Sequence, residues 1–172
     1  MQIRWTKLPF VAHNEAEYRK GLNDWLGHVF YDLLPQHGYE VREEQIYTAF
    51  RIARALTEGS TLLAEAGPGT GKTFAYLLPA VCHARMRGAP VVVASASGVL
   101  KAQLTGPGGD IQTLSRLLNL NIDVRVAGDP ADYLCELKVE ANDFTPGEEP
   151  AGWTDLVRWA RRTATGARSE VP

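Results

Sequence analysis

Residues Glu65-Ala66-Gly67-Pro68-Gly69-Thr70-Gly71-Lys72-Thr73 constrain this chain more than any other stretch. They follow a short apolar run, residues 61–64, that reads as a strand, and lead into residues 74–81, which read as a helix. A strand, a glycine-rich turn and a helix N-terminus are the context that separates a phosphate-binding loop from a chance Gly-Lys-Thr. The glycines let backbone N–H groups converge on phosphate oxygens, and the helix dipole adds partial positive charge. Gly67, Gly69, Thr70 and Gly71 are therefore expected to cradle phosphate. Lys72 is expected to reach the β- and γ-phosphates, and Thr73 to hold Mg²⁺ through its hydroxyl. Ala66 stands where the strict pattern has glycine, the looser variant of the motif. The expected ligand is a nucleoside triphosphate.

Composition adds limits rather than identity. With 172 residues and 45% apolar residues the chain can bury one ordinary core. A net charge of -2 neither suggests nor forbids a nucleic-acid partner, so any such contact must come from a local surface. The two cysteines, Cys82 and Cys135, form no CxxC pair, which fits a reducing, cytoplasmic compartment. Cys82 and His83 are helical neighbours pointing about 100° apart, which favours core packing over metal binding. His13, His28 and His37 show no ligand spacing. The start, Met1 to Trp5, lacks the apolar core of a signal peptide, and no stretch approaches a membrane span, so no membrane partner is expected.

Along the chain, Asn14 and Glu17 resemble a capping box that opens a helix with the stripe Tyr18, Leu22, Trp25, Leu26, Val29, Phe30, Leu33 and Leu34, ended by Pro35 and Gly38. A second helix is expected over about residues 43–57, with Ile46, Ala49, Phe50, Ala53 and Leu56 inward and Gly59 as its stop. The helix after the loop runs to about 87. Residues 90–95 carry a continuous β-branched run, expected as a strand covered on both faces, and 122–126 read as another. Helices are expected from Gly98 to Leu104, from a cap at Asp110 to Leu118, over 130–140 and over 153–165, with an acidic Pro/Gly stretch at 141–152. Alternating strands and helices imply an α/β layer built on a parallel sheet. Arg158, Arg161 and Arg162 share a helical face, read as solvated with Trp153 and Trp159 inward rather than as a DNA contact.

About sixty residues precede the loop strand, and they include Gly38-Tyr39-Glu40-Val41-Arg42-Glu43-Glu44-Gln45. An amide at Gln45 can bond both edges of adenine, and Tyr39 or Arg42 could stack on the ring. The bland alternative makes Gln45 an exposed helical residue.

Together these segments resemble the DinG-like, XPD-related superfamily 2 DNA helicases. The matching residues are Phe30 to Pro35 through Gln45, Glu65 to Ala80, Val92 to Ser97 with Leu100, Gln103 and Leu104, and Val126 to Gly128 followed by Asp132 to Cys135. The resemblance covers roughly residues 30–140 in collinear order. It implies an incomplete RecA-like motor domain, ATP and Mg²⁺ as ligands, and 5′-to-3′ translocation on single-stranded DNA. It places Ser95, Ser97 and Gln103 in the segment that touches the DNA backbone, although Ser95 and Ser97 also read as helix-capping hydroxyls. Cys135 aligns with the first of four cysteines that hold an iron–sulfur cluster in many relatives. One cysteine cannot hold a cluster, and an ordinary cysteine is the favoured reading. The implied organisation is an N-terminal extension over 1–37, the first part of the helicase domain over 38–128, and the start of an inserted iron–sulfur or arch-like domain over 129–172. The long extension suggests the CRISPR-associated DinG branch of type IV systems, with a crRNA-guided complex as partner.

One element of the helicase pattern has no counterpart: no apolar run ending in Asp-Glu follows the loop to hold Mg²⁺ and activate water. The chain is therefore expected to be the N-terminal part of a longer helicase, inactive in hydrolysis by itself. The alternative is a truncated, non-catalytic nucleotide-binding module. A small-molecule kinase is disfavoured by the upstream helices and by the lack of lid-like arginines.

Overall fold

A computed structural model of the chain describes residues 8–141 and 150–171. Residues 1–7 and most of the expected acidic stretch, 142–149, lie outside the described residues. The chain divides into two compact units, Met1–Val124 and Arg125–Pro172.

In the first unit the helix signals act where they stand. Helix α1, Glu15–His28, opens at Asn14, whose side chain accepts from the Glu17 N–H at 2.9 Å. The Glu17 carboxylate reaches back to the His13 N–H at 2.8 Å, so the capping box extends one residue further than expected. The rod continues through a π-turn, Val29–Leu33, and a last turn, Leu34–Gln36. Pro35 therefore lies inside this final turn rather than ending it. Proline has no N–H to give to the preceding turn, and the ladder widens by one residue just before it. Helix α2, Glu43–Glu58, stops at Gly59, whose left-handed φ of 65° few other residues adopt cheaply. Helix α3, Lys72–Arg87, follows the loop and stops at Gly88 in the same way. Helices α4, Gly98–Thr105, and α5, Asp110–Leu117, complete the unit. Asp110 is the first residue of α5 rather than its cap, which is Gly109.

The core is the seam where α1, α2 and α3 meet. Tyr18, Leu22 and Leu26 of α1 are buried with Ile46, Ala49 and Ala53 of α2 and with Phe74, Ala75, Leu77, Leu78 and Cys82 of α3. Ala49 and Ala75 are fully covered, and their small side chains let the two helix backbones approach closely. Leu104 and Leu114 bring α4 and α5 onto the same core.

The expected parallel sheet is not seen: no strand occurs among the described residues, whose regular elements are helices and helical turns apart from one isolated bridge. The runs at 61–64, 90–95 and 122–126 have no ladder partners. A strand exists only through hydrogen bonds to a neighbour, and a continuous apolar run needs both faces covered. Here Leu63 is 93% exposed and Val92 86% exposed, so neither condition is met.

In the second unit the helix expected over 130–140 is divided. A 3-10 turn at Pro130–Asp132, held by an Asp129 capping box, precedes a short helix α6, Glu136–Glu140. Between them Tyr133 makes an antiparallel bridge to Ala167, and the Leu134 N–H donates to the Gly166 carbonyl at 2.8 Å. Helix α7, Trp153–Ala160, ends five residues earlier than expected. Arg161 and Arg162 thus lie beyond it and share no helical face with Arg158, which pairs with Asp155 at 2.5 Å. Among the described residues no helix is long and apolar enough to cross a membrane.

Leu78 is 1% exposed in the α2–α3 seam. Leu78→Ala should lower unfolding stability by about 2–5 kcal/mol, read from urea denaturation. Cys82 is fully covered, and burial pushes its thiol up to about 12, whereas Cys135 is exposed. The thiolate is the reactive form. A disulfide reagent at pH 8 should therefore modify one thiol in the native chain and two after denaturation, counted by absorbance.

Candidate nucleotide-binding site

The loop is held from both sides. Gly69 and Gly71 take φ values of 76° and 74°, backbone positions that side chains with a Cβ rarely adopt. Gly71 is then the N-cap of α3, so the loop runs directly into the positive end of a sixteen-residue helix. Thr70 donates its hydroxyl to the Gly67 carbonyl at 3.0 Å, tightening the turn. The Lys72 ammonium lies 2.8 Å from the Ala66 carbonyl and 2.5 Å from that of Gly67. Its ammonium is thereby held on the loop carbonyls, while the residue remains exposed.

The segment leading into α2 and the first turn of that helix form the other side. Gln45 is 8% exposed, and its Nε2 donates to the Gly71 carbonyl at 2.6 Å. A carbonyl only accepts, so this contact fixes which end of the amide faces the loop. The reading of Gln45 as an exposed helical residue is overturned by that burial. The fit is close: a Cβ at position 71 would lie 2.1 Å from Gln45 Nε2. Arg42 donates to the Gly69 carbonyl and, at 3.1 Å, to Glu40. Tyr39 leans on Phe74 with ring centroids 5.6 Å apart, and Tyr31 donates to Glu43 at 3.1 Å. Gln45 and Arg42 are thus brought onto the loop. Tyr39 meets a protein ring, one of the surfaces a stacked base would compete with.

Thr73 sits in the first turn of α3, with Tyr76 three residues further along the same helix. The Tyr76 phenol is pushed up by burial, drawn down by the neighbouring Thr73 side chain, and pushed up again by the Asp110 charge. Neither Tyr76 nor Asp110 was selected from the sequence. The three-residue spacing of Thr73 and Tyr76 on one helix was the available signal.

The structure keeps Ser95, Ser97 and Gln103 together around α4. Ser97 is its N-cap, accepting from the Leu100 N–H at 3.5 Å, so the capping reading holds. Ser95 accepts from the Ser97 N–H and donates to the Ser97 carbonyl, both at 3.1 Å. Gln103, on the last turn, donates to Asp110 at 3.2 Å. All three are exposed. Cys135, just before α6, is exposed too, and among the described residues no group of three His, Cys, Asp or Glu side chains could hold a metal.

A glycine loop capping a long helix, with a lysine fixed over it and a glutamine buried behind it, has the form of a phosphate-loop nucleotide site. Comparison with known proteins narrows the class. The chain is 43% identical over 151 residues to the probable ATP-dependent helicase YpvA of Bacillus subtilis, which covers 88% of this chain and 23% of that protein. It is 32% identical over 133 residues to the ATP-dependent DNA helicase YoaA of Escherichia coli, covering 75% of this chain and 20% of the relative. It is 31% identical over 146 residues to the 3′-5′ exonuclease DinG of Bacillus subtilis, covering 81% and 15%. No protein-family model and no solved structure matches. The matched proteins are mostly ATP-dependent helicases of the DinG, YoaA and YpvA type, and this chain carries a DinG-like helicase sequence. It spans 15 to 23% of the length of the three relatives named. None of these three is named for a CRISPR system, and that branch assignment has no support from them.

Removing the amide at Gln45 deletes a buried bond and leaves the Gly71 carbonyl without it. Gln45→Ala should weaken binding of a fluorescent ATP analogue about tenfold, the consequence of losing roughly 1–1.5 kcal/mol. Titration by fluorescence anisotropy reads the change directly, and an unchanged Kd would separate Gln45 from the site.

Proposed function

We propose that this chain is the ATP-binding first part of a RecA-like motor domain in a helicase that moves 5′-to-3′ along single-stranded DNA. The carrying observation is the clamp on the phosphate loop: Gln45 on the Gly71 carbonyl and Arg42 on that of Gly69. It ties an adenine-reading position to the phosphate-reading one, a coupling that a bare glycine turn does not need. Gly67, Gly69, Thr70 and Gly71 present backbone groups to the phosphates, Lys72 neutralises the β- and γ-phosphates, and the Gln45 Oε1 and second amide hydrogen face the base. Thr73 would hold Mg²⁺ through its hydroxyl, and the ion would supply charge neutralisation at the phosphates. Ser95, Ser97 and Gln103 meet the DNA backbone by hydrogen bonds that carry no sequence information. The domain division at 37/38 and 128/129 belongs to the same reading.

The apolar runs at 61–64, 90–95 and 122–126 become strands, in this proposal, when further strands of the motor domain pair with them. The Asp-Glu pair that activates water is supplied from outside these 172 residues. A second reading, a nucleotide-binding module without turnover, rests on that same missing pair. An iron–sulfur cluster is not part of the proposal, because Cys135 stands alone.

DNA-stimulated ATP hydrolysis by the full-length gene product tests this. Lys72→Ala should lower the stimulated rate at least about a hundredfold, as loss of a transition-state charge contact does. Equal rates in wild type and variant would overturn the motor reading. Partial duplexes with a 5′ or a 3′ overhang, labelled at either end, distinguish translocation from nuclease cleavage and report the polarity.

A further inference from the structure

The first turn of α2 carries the residues that clamp the loop, and their side chains are thereby diverted from capping the helix itself. Arg42 is the N-cap of α2 and makes no side-chain bond to the turn it caps. Its guanidinium goes to the Gly69 carbonyl. Gln45 stands three residues later, where a glutamine often reaches back to the cap N–H. Its Nε2 is committed to the Gly71 carbonyl instead. A helix end without its caps frays unless another group holds it. That group comes from the end of the first rod: the Tyr31 hydroxyl donates to the Glu43 carboxylate at 3.1 Å, across twelve positions of chain. Glu43 is the first residue of α2, where the helix dipole favours a carboxylate. Tyr31 lies in the π-turn Val29–Leu33, with Val29 and Phe30 buried before it and Leu34 buried after it, so the donor has a fixed support. Turns of this kind recur at functional sites.

We propose that Tyr31 and Glu43 are positioning residues that hold the first turn of α2 and thereby set the site's preference for adenine over guanine. The proposal rests on the base-facing role given to Gln45 above. Because Gln45 Nε2 donates to the Gly71 carbonyl, the Oε1 end left for the base is an acceptor. Adenine presents the N6 amino donor to it, whereas guanine presents the O6 acceptor. Two facing acceptors repel, so the discrimination lasts only while the amide is held in one orientation. In a frayed turn the amide rotates, and it can then offer Nε2 to guanine as readily as Oε1 to adenine. The Tyr31–Glu43 bond removes that freedom two residues before Gln45. Neither residue needs to touch the nucleotide, since each acts through the turn that carries Gln45 and Arg42.

The test uses the full-length product as wild type, Tyr31→Phe, Glu43→Ala, Glu43→Gln and the Tyr31→Phe/Glu43→Ala double variant. Displacement of a fluorescent ATP analogue by ATP and by GTP, followed by anisotropy, gives a Kd for each nucleotide. Wild type should prefer ATP at least about tenfold, the usual size of a base contact. Tyr31→Phe and Glu43→Ala should each weaken ATP about fivefold, as loss of one hydrogen bond does, and leave GTP within about twofold. The double variant should be no worse than either single one. Glu43→Gln keeps an acceptor for the Tyr31 hydroxyl and should stay within about twofold of wild type. Tyr31→Phe keeps the ring and its packing, and a role in folding alone shifts both nucleotides alike, so the ATP-to-GTP ratio separates positioning from folding. An ATP Kd within about twofold of wild type in either Tyr31→Phe or Glu43→Ala would overturn the proposal. So would a wild type without the preference, equal shifts for ATP and GTP, losses that multiply in the double variant, or a Glu43→Gln protein as weak as Glu43→Ala. A wild type that binds neither the analogue nor ATP would instead overturn the nucleotide-site reading, a distinct result.

Discussion

The hydrogen bond from Gln45 to the Gly71 carbonyl is the contact on which the site depends. It joins the first turn of α2 to the loop residue that caps α3. It is short because the helices behind it are close, and they are close because Ala49 and Ala75 bring only methyl groups to the seam. Gly71 completes the fit, since a methyl group there would overlap the amide. Core packing therefore fixes the loop, and the loop's conformation is set by the same residues that cover its floor. Preorganisation of this kind removes part of the ordering cost that a flexible glycine loop would otherwise incur on binding a ligand.

Charge is distributed in the same economical way. Three groups converge on the loop carbonyls: the Lys72 ammonium on Ala66 and Gly67, the Arg42 guanidinium on Gly69, and the Gln45 amide on Gly71. Carbonyls engaged on one side leave the N–H groups of the loop and of the α3 N-terminus facing the other, where an anion is favoured. Lys72 is the member of the set that a triphosphate would draw away from the carbonyls. Its two contacts are to neutral acceptors, and a triphosphate offers the ammonium a charged one, which forms the stronger bond.

Much of the helical part was legible in the sequence because its signals are local. Asn14 and Glu17 are three residues apart and act within one turn, and Gly59 and Gly88 stop α2 and α3 through their own φ values. Burial of the stripe from Tyr18 to Leu34 follows from its period. Gln45 and Lys72 were singled out from motif context, but what they touch was not legible there. Arg42 meets a carbonyl 27 positions away, and no pattern within a window contains that contact. Asp110 was read as a cap because aspartate favours that position, and Gly109 took it instead. Its carboxylate had a better use, since Gln103 lies within reach across the Gly106–Gly109 bend.

The sheet shows the converse limit. Val91 to Val93 and Leu62 to Leu63 have the composition of buried strands, and the resemblance to helicases supports that reading, yet they pair with nothing described here. The difference lies in where each element finds its hydrogen bonds. A helix closes its own, so α1, α2 and α3 need from one another only apolar cover, which they supply. A parallel strand closes none of its own and gains structure only when neighbours arrive through long connections. Composition records the environment a segment requires, not whether that environment is within these residues. The clamp on the loop belongs to the helical part, which satisfies itself, and this is why the candidate site is already shaped while the apolar runs that flank it pair with nothing among the described residues.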